Sequence, residues 1–372
     1  MSTLKTPFRY DFVGSFLRPE KLKAAKKAFE EGTITQEELD RVTDECVTEI
    51  VAKQKVAGYH AITDGEFRRK FWHLDFMWGF EGVTHEKDGG GVQFNGEMAD
   101  LEATYLVGKV KAKVHPFVEY FKFLKQFEDE QTVAKYTIPA PAQMYQQMIV
   151  PQNIEQTRKF YATDEELIED IGKAYQDVIK QFYAAGCRNL QLDDCTWGMF
   201  ADKIGHTLYG TTREGIVEFQ KAHKDINDKV IVNAPKDMII NTHVCRGNFH
   251  STYASEGAYD SVADILFGEE NVNAYFLEFD DERSGGFAPL AKVSGEKKVV
   301  LGLITTKSPV LEDKQLVIDR IHDAAKYIPL ERLYLSPQCG FASCEIGNKL
   351  TEEEQWAKLR LVKEVAEEVW GK

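Results

Sequence analysis

Eight short apolar runs, separated mostly by stretches with helical periodicity, set the strongest limit on how this chain folds. Parallel strands need such crossover connections, and eight strand–helix units close into a barrel. A doubly wound sheet is the alternative, but it concentrates ligands at one switch point and gives no reason for polar residues at nearly every strand end. The pattern therefore predicts an α/β protein with the (β/α)8 TIM-barrel fold and strands at residues 11–15, 60–66, 134–139, 189–194, 239–246, 275–278, 298–304 and 332–336.

Between the second and third strands, at about residues 82–115, the pattern changes. Residues 87–91 are rich in glycine, which is typical of a turn, and residues 104–114 alternate weakly between apolar and polar side chains. We expect a hairpin-like excursion from the barrel here. No second domain is needed, so residues 1–372 are predicted to form a single barrel domain.

Three predicted helices begin with a threonine followed by acidic residues in the first turn. The segments are residues 35–38, 163–166 and 351–354. A threonine at the helix cap accepts a hydrogen bond from the first turn, so each segment predicts a helix start.

Composition excludes several classes of function. The formal net charge is -14 and no basic block offsets it, which argues against a nucleic-acid partner. No apolar run reaches the length of about 18 residues that a membrane span needs. Residues 1–10 are polar and lack the apolar core of a signal peptide, so we expect a cytoplasmic protein.

The fifth strand ends in a soft nitrogen donor and a soft sulfur donor. Strand alternation places His243 and Cys245 on the same side of the backbone, where both can reach one ion. Glu278 and Cys339 follow two later apolar runs in the same way. One histidine, two thiolates and one carboxylate form a tetrahedral set that suits Zn²⁺, and we predict a catalytic zinc site over a structural one.

Other polar residues also follow the predicted strands, and a barrel brings all strand exits to one rim. Arg18 and Trp197 lie in loops that we expect to face the resulting pocket, where Trp197 is able to stack on a flat ring. The remaining residues at strand exits are Ser15, Asp64, Glu66, Asp193, Asp194 and Lys307.

These residues resemble the motifs of the cobalamin-independent methionine synthase family, specifically its C-terminal catalytic barrel, over nearly the whole chain. Residues 242–245 resemble the His-x-Cys pair of the family, Glu278 its carboxylate ligand and residues 338–340 its final Cys-Gly. The resemblance implies a zinc-binding barrel. The long enzymes carry a second, N-terminal barrel, so this chain is similar to the short single-barrel members.

The resemblance extends to the amino-acid site. Residues 13–16 are similar to the family's Gly-Ser-Phe loop, which implies that Gly14 and Ser15 hold the substrate. Residues 64–67 resemble its Gly-Glu-Phe segment, whose glutamate, here Glu66, binds the substrate amine. In the family's Gln-x-Asp-Glu motif Asp193 matches the aspartate that contacts the amine, whereas Asp194 stands where glutamate is usual.

One departure concerns the proton donor. The family carries a histidine just before Ser-Pro after the seventh strand, and Lys307 occupies that position here. A lysine with its ordinary pKa of about 10.4 is a weak acid, although desolvation or nearby charge is able to lower that pKa. Lys307 is therefore the candidate proton donor, and Asp194 or Asp193 is a candidate to assist the proton transfer.

The sequence predicts a zinc-dependent S-methyltransferase that moves a methyl group, from 5-methyltetrahydrofolate or its polyglutamate, to homocysteine and makes methionine. One alternative is a zinc-dependent alkyltransferase with another thiol or donor, such as coenzyme M. A non-catalytic binder of thiols or methionine is the other. The acidic residues Glu66 and Asp193 favour an acceptor with an ammonium group over one with a sulfonate.

Overall fold

The computed structural model describes residues 3–87, 91–208 and 210–371. Within these residues, no helix combines the length and the apolar character needed to cross a membrane. The strands are Ala61–Ile62, Glu81–Glu86, Gly91–Gln93, Met98–Asp100, Ala103–Lys111, Val133–Ala134, Tyr136–Pro139, Asn189–Asp193, Ile239–Val244, Ala274–Glu278, Lys298–Ile304 and Leu333–Pro337. The α-helices are Glu20–Glu30, Gln36–Val56, Leu74–Met77, Pro116–Lys125, Pro141–Ile149, Ile154–Thr157, Asp164–Ala184, Thr196–Ala201, Lys203–Leu208, Arg213–Ile231, Ala263–Glu269, Lys314–Ala324 and Glu352–Trp370.

The barrel strands follow one another around a closed ring. Six parallel strands, the third to the eighth in barrel order, form one sheet. The short second strand pairs in parallel with the start of the third. The N-terminal segment completes the circle through two parallel bridges, Tyr10 to Leu335 and Ser15 to Gly65. The predicted barrel is confirmed, although its first strand consists of these bridges and not of a continuous ladder.

The excursion after the second strand is an antiparallel hairpin, as predicted. Glu81–Glu86 pairs with Ala103–Lys111, and further out Gly91–Gln93 pairs with Met98–Asp100. The predicted glycine-rich turn lies largely outside the described residues, which omit 88–90.

Alternation along the strands divides the core in two. In the sixth strand Tyr275 and Leu277 belong to the large apolar core that includes the surrounding helices. Phe276 points the other way, into the barrel. There it packs in a small separate cluster with Val13, Val300 and Tyr334.

A buried ion pair fixes the N-terminal segment to the third strand inside the barrel. The Nζ of Lys135 lies 2.8 Å from Oδ1 of Asp11, and both side chains are fully buried. The Lys135 ammonium also lies over the rings of Phe12 and Phe276. This pair holds the segment that leads directly to Gly14 and Ser15.

Candidate metal and substrate site

One imidazole and two thiols meet at the carboxyl ends of the barrel strands. The ligand atoms of His243, Cys245 and Cys339 all lie within 4.8 Å of one another, and all three side chains are buried. His243 lies at the end of the fifth strand, Cys245 directly follows that strand, and Cys339 follows the eighth. Residues that are 94 positions apart in sequence converge here because parallel strands all end at the same rim.

The chemistry of this group fits a zinc ion. His243 donates a hydrogen bond from Nδ1–H to the carbonyl oxygen of Phe276 at 3.1 Å, which fixes the orientation of the ring. Its Nε2 is buried and has no hydrogen-bond partner among the described residues. A nitrogen lone pair and two sulfurs at one point suit a borderline-soft cation.

A further thiol touches the group. Cys195 Sγ lies 3.0 Å from Cys245 Sγ and lines the same cavity. This contact first, and burial after it, raise the pKa of the Cys245 thiol. A bound divalent cation reverses this tendency because it stabilises the thiolate.

Glu278, the fourth predicted ligand, lies outside the group of three. Its Oε2 accepts a hydrogen bond of 2.8 Å from the backbone N–H of Arg246. Its Oε1 lies 3.2 Å from Lys307 and 3.1 Å from Arg283. Burial raises the pKa of Glu278, but the cations around it outweigh burial and lower the pKa, so the group is a carboxylate.

Lys307 is held by carboxylates and does not line the cavity. Its Nζ lies 3.2 Å from Glu278 and 3.1 Å from Asp280. Burial lowers the pKa of Lys307, but the two negative charges outweigh burial and raise it. The surroundings of Lys307 therefore do not make it a stronger acid, because desolvation comes together with two counter-ions.

A cavity of about 840 Å³ opens above the thiols. The hairpin contributes part of its wall, and the backbone N–H of Asn95 in the hairpin bonds the Tyr253 carbonyl at 2.8 Å. The hairpin is thus tied to the loop after the fifth strand. Of the twelve residues predicted for the site, the cavity wall contains Ser15, Glu66, Asp193, His243, Cys245 and Cys339.

Glu66 presents one unpaired carboxylate oxygen. Thr137 donates to its Oε1 at 2.8 Å, and Arg69 lies 3.4 Å from the same oxygen. Oε2 is buried and has no partner among the described residues. The backbone of Glu66 has φ 62°, a strained conformation for a non-glycine residue, and such strain is concentrated at functional sites.

Gly14 and Ser15 lie beside this carboxylate. A Cβ atom at Gly14 would meet Thr137 at 2.8 Å and Glu66 Oε1 at 3.5 Å, so only glycine allows this packing. Ser15 is in the cavity wall, and its Oγ accepts a hydrogen bond from the backbone N–H of Ala342. Gly14 supports the wall without lining it.

Asp193 and Asp194 point in opposite directions. Asp193 lines the cavity, and burial together with the negative charge of Glu66 raises its pKa. Asp194 turns outward, where it accepts hydrogen bonds from Thr196 and, at 2.9 Å, from Asn227. Strand alternation explains the difference. Asp194 is therefore badly placed for its predicted catalytic role.

Arg18 and Trp197 do not face the cavity, contrary to expectation. The Arg18 guanidinium donates to backbone carbonyls, among them Ala342 at 2.6 Å and Glu66 at 2.8 Å, and so ties two rim loops together. Trp197 lies in the helix Thr196–Ala201 and is fully buried against Phe200. Both positions are on the rim, but sequence position does not fix side-chain direction.

Several cavity residues were not predicted. No sequence motif marks these residues as a group. Two of them could have been found by position, because Cys195 directly follows the strand that ends at Asp193 and Asp194, and Gln143 follows the third strand. The main ones are Trp72, His73, Gln143, Gln146 and Cys195.

Comparisons of sequence show which proteins the chain resembles. Residues 10–368 match the sequence profile of a family described as "Cobalamin-independent synthase, Catalytic domain". The chain is 42% identical to the uncharacterized protein YxjG of Bacillus subtilis (strain 168) over 371 residues, 98% of this chain and 96% of that protein. It is 23% identical to the methionine synthase of Saccharolobus solfataricus over 330 residues, 88% of this chain and 86% of that protein.

Comparisons of structure give the same fold. A putative vitamin-B12 independent methionine synthase from Listeria monocytogenes matches with a TM-score of 0.78 at 34% identity, covering 99% of this chain and 100% of that chain. A B12-independent methionine synthase from Shewanella sp. W3-18-1, solved in complex with selenomethionine, matches with a TM-score of 0.73 at 19% identity over 97% of each chain. The second likeness concerns the fold alone.

Proposed function

Because this chain belongs to the cobalamin-independent methionine synthase family, matching its catalytic domain over residues 10–368, we propose that it is a zinc-dependent methyltransferase. It moves a methyl group from 5-methyltetrahydrofolate, or its polyglutamate, to the thiol of homocysteine and forms methionine. Its partners are these two small molecules.

The convergence of His243, Cys245 and Cys339 within 4.8 Å carries this proposal. A bound Zn²⁺ would hold an incoming thiol as its thiolate at neutral pH, where a free thiol is mostly protonated. The three side chains leave a fourth position for Glu278 or for the substrate sulfur. Glu278 has to leave its contacts with Lys307 and Arg283 to reach it, so we expect the carboxylate to be the weakest of the four predicted ligands.

The charge of the cavity favours an amino-acid acceptor. The unpaired Oε2 of Glu66 is a ready acceptor for an ammonium group. Burial raises the pKa of Asp193, the negative charge of Glu66 raises it further, and an ammonium would offset the second of these effects. A sulfonate such as that of coenzyme M would instead meet these two acids. This contrast supports homocysteine over a sulfonate thiol.

The identity of the methyl donor depends on how its leaving group is protonated. When the new sulfur–carbon bond forms, the carbon–nitrogen bond at N5 of the folate breaks, and that nitrogen needs a proton. Lys307 is engaged with Glu278 and Asp280 and has a raised pKa. This observation favours a second candidate, an alkyltransferase of the same acceptor that uses a donor with a better leaving group.

A turnover assay with zinc-loaded protein separates the candidates. Methionine formed from homocysteine is measured with 5-methyltetrahydrofolate carrying one or three glutamates. Methionine from either folate supports the first proposal. Homocysteine binding without product from these folates, but with product from a more activated methyl donor, supports the second, and binding without product from any donor supports a non-catalytic protein.

The substitution Glu66→Gln is expected to raise KM for homocysteine about 10- to 100-fold, because a hydrogen bond between charged groups contributes about 1.5–3 kcal/mol. The expected change in kcat is small, since the amine lies away from the reacting sulfur. Steady-state kinetics at varied homocysteine gives both values.

Glu102→Gln is the matched control. Glu102 also lines the cavity, but its oxygens are bonded to Lys70 at 2.9 Å and to His85 at 2.5 Å. Its replacement should leave KM for homocysteine unchanged. Equal effects of the two substitutions would contradict the role of Glu66.

A further inference from the structure

Two buried asparagine side chains connect the loops that carry the two thiols of the proposed zinc site. Asn248 lies three residues after Cys245, and Asn348 lies nine residues after Cys339. Both side chains are buried, and Nδ2 of Asn348 donates to Oδ1 of Asn248 at 2.9 Å. We call these two side chains the amide pair. It forms a direct contact between segments that are 100 positions apart in the chain.

The other polar atoms of the amide pair bind backbone groups of the same rim. Nδ2 of Asn248 donates at 2.8 Å to the carbonyl oxygen of Gly340, the residue next to the second thiol. Nδ2 of Asn348 also donates to the carbonyl oxygen of Thr306 at 2.8 Å, and its Oδ1 accepts the backbone N–H of Ser251 at 2.9 Å. The pair therefore joins the loops that follow the fifth, seventh and eighth barrel strands, and each of its amide oxygens and nitrogens is hydrogen-bonded.

The backbone that meets the amide pair is strained. His250 and Ser251 have φ 46° and 69°, which are uncommon values for residues other than glycine. Ser251 donates its backbone N–H to Asn348, and its Oγ accepts the backbone N–H of Lys349 at 2.8 Å. Such strain persists only where the surrounding contacts enforce it, and it is concentrated at functional sites. These contacts therefore hold the loop after the fifth strand in one conformation.

The two thiols need such a restraint because neither lies within a strand. Cys245 directly follows the strand Ile239–Val244, and Cys339 lies two residues beyond the strand Leu333–Pro337. Two sulfurs bound to one tetrahedral zinc lie about 3.8 Å apart, since each Zn–S bond is about 2.3 Å long. Two thiolates also repel each other until the cation is bound. The affinity for zinc therefore depends on what keeps these two loops together.

We propose that Asn248 is a positioning residue of the zinc site and sets the separation of Cys245 and Cys339. Its hydrogen bond to the Gly340 carbonyl fixes the second thiol relative to the first. Asn348 holds the Asn248 amide in the orientation that this bond requires. The inference rests on the proposed function and adds to its metal site two residues that do not bind the ion themselves.

Titration of the metal-free full chain with zinc, in competition with a coloured chelator, tests this role without any substrate. Asn248→Ala should weaken zinc binding about 10- to 100-fold, the usual effect of losing a residue that supports a metal ligand. The Gly340 carbonyl keeps a bond of 3.0 Å from Oγ1 of Thr306, so this variant should still fold. Asn348→Ala should weaken zinc binding only about three- to tenfold, because Asn248 keeps its bond to Gly340.

Asn153→Ala is the matched control. Asn153 lines the same cavity, and its Nδ2 donates to the carbonyl oxygens of Thr104 at 2.8 Å and Gln147 at 2.7 Å, away from the thiols. Its loss also removes amide–carbonyl hydrogen bonds but should leave zinc affinity unchanged. Cobalt(II) bound in place of zinc absorbs visible light most strongly in a tetrahedral site, so Asn248→Ala should weaken this absorption and Asn153→Ala should not. Circular dichroism of each metal-free variant verifies the fold.

Unchanged zinc affinity in Asn248→Ala, or an equal loss in Asn153→Ala, would overturn the positioning role. Methionine formation is then measured with enough zinc to fill the site of each variant. Turnover of Asn248→Ala that returns to most of the wild-type rate supports the role, whereas turnover that stays lost with the site full would overturn it. Zinc binding that depends on Asn248 in a protein that forms no methionine overturns the proposed methyl transfer and leaves the positioning role standing.

Discussion

Replacing Cys245 with serine is expected to abolish methyl transfer and to weaken zinc binding by at least about 100-fold, since even loss of a residue that only supports a ligand costs about 10- to 100-fold. The rate of methionine formation should fall about 1,000-fold or more, because metal activation of a nucleophile contributes several kcal/mol. Metal content after dialysis against a chelator and single-turnover rates are the measurements.

Cys195→Ser provides the control for this substitution. Cys195 lies 3.0 Å from Cys245 and lines the same cavity, but it is not among the three residues whose ligand atoms converge. We expect this variant to keep its zinc and most of its activity. If Cys195→Ser lost zinc and Cys245→Ser retained it, the assignment of the ligands would be wrong.

Asp11→Ala is expected to lower the free energy of unfolding by about 3–5 kcal/mol, the typical cost of leaving one charge of a buried pair alone. Asp11 and Lys135 are both fully buried at 2.8 Å, and Asp11 also accepts the backbone N–H of Phe12 at 2.8 Å. Urea unfolding followed by circular dichroism measures the change. Because this pair holds the segment before Gly14, homocysteine binding should also weaken.

Two comparisons make the stability prediction specific. Glu119→Ala removes one partner of an exposed pair, 2.7 Å from Lys122, and should leave the unfolding midpoint unchanged because water screens such pairs. Combining Asp11→Leu with Lys135→Met should restore part of the lost stability, since no charge then remains buried. Equal midpoints for Asp11→Ala and the wild type would contradict the assigned role of the pair.

The sequence was sufficient for the parts of the fold that depend on periodicity and on capping. The helices predicted at Thr35, Thr163 and Thr351 begin where expected, and each threonine accepts a hydrogen bond from the first turn. The strand ends that carry His243 and Cys339 were located because alternation and a common rim place their side chains. These rules act over a few residues and need no knowledge of packing.

The parts of the fold and of the site that the sequence did not predict depend on contacts between segments that are distant in the chain. The sequence predicted a strand at residues 134–139 but not the helix Pro141–Ile149 that follows it, although proline at the first helical position is common. A catalytic role was predicted for Asp194, although strand alternation places its side chain on the side opposite to Asp193. The counter-ions of Lys307 follow a different strand, so no local sequence pattern predicts their contact with it.

X-ray absorption at the zinc edge, recorded for the zinc-loaded wild-type protein before and after addition of homocysteine, tests the central claim most directly. The arrangement of His243, Cys245 and Cys339 predicts one zinc per chain with two sulfur ligands and at least one nitrogen ligand. Homocysteine should add a third sulfur. A protein that retains no zinc, or a coordination shell that homocysteine leaves unchanged, would contradict the claim that these three side chains bind the ion that activates the substrate thiol.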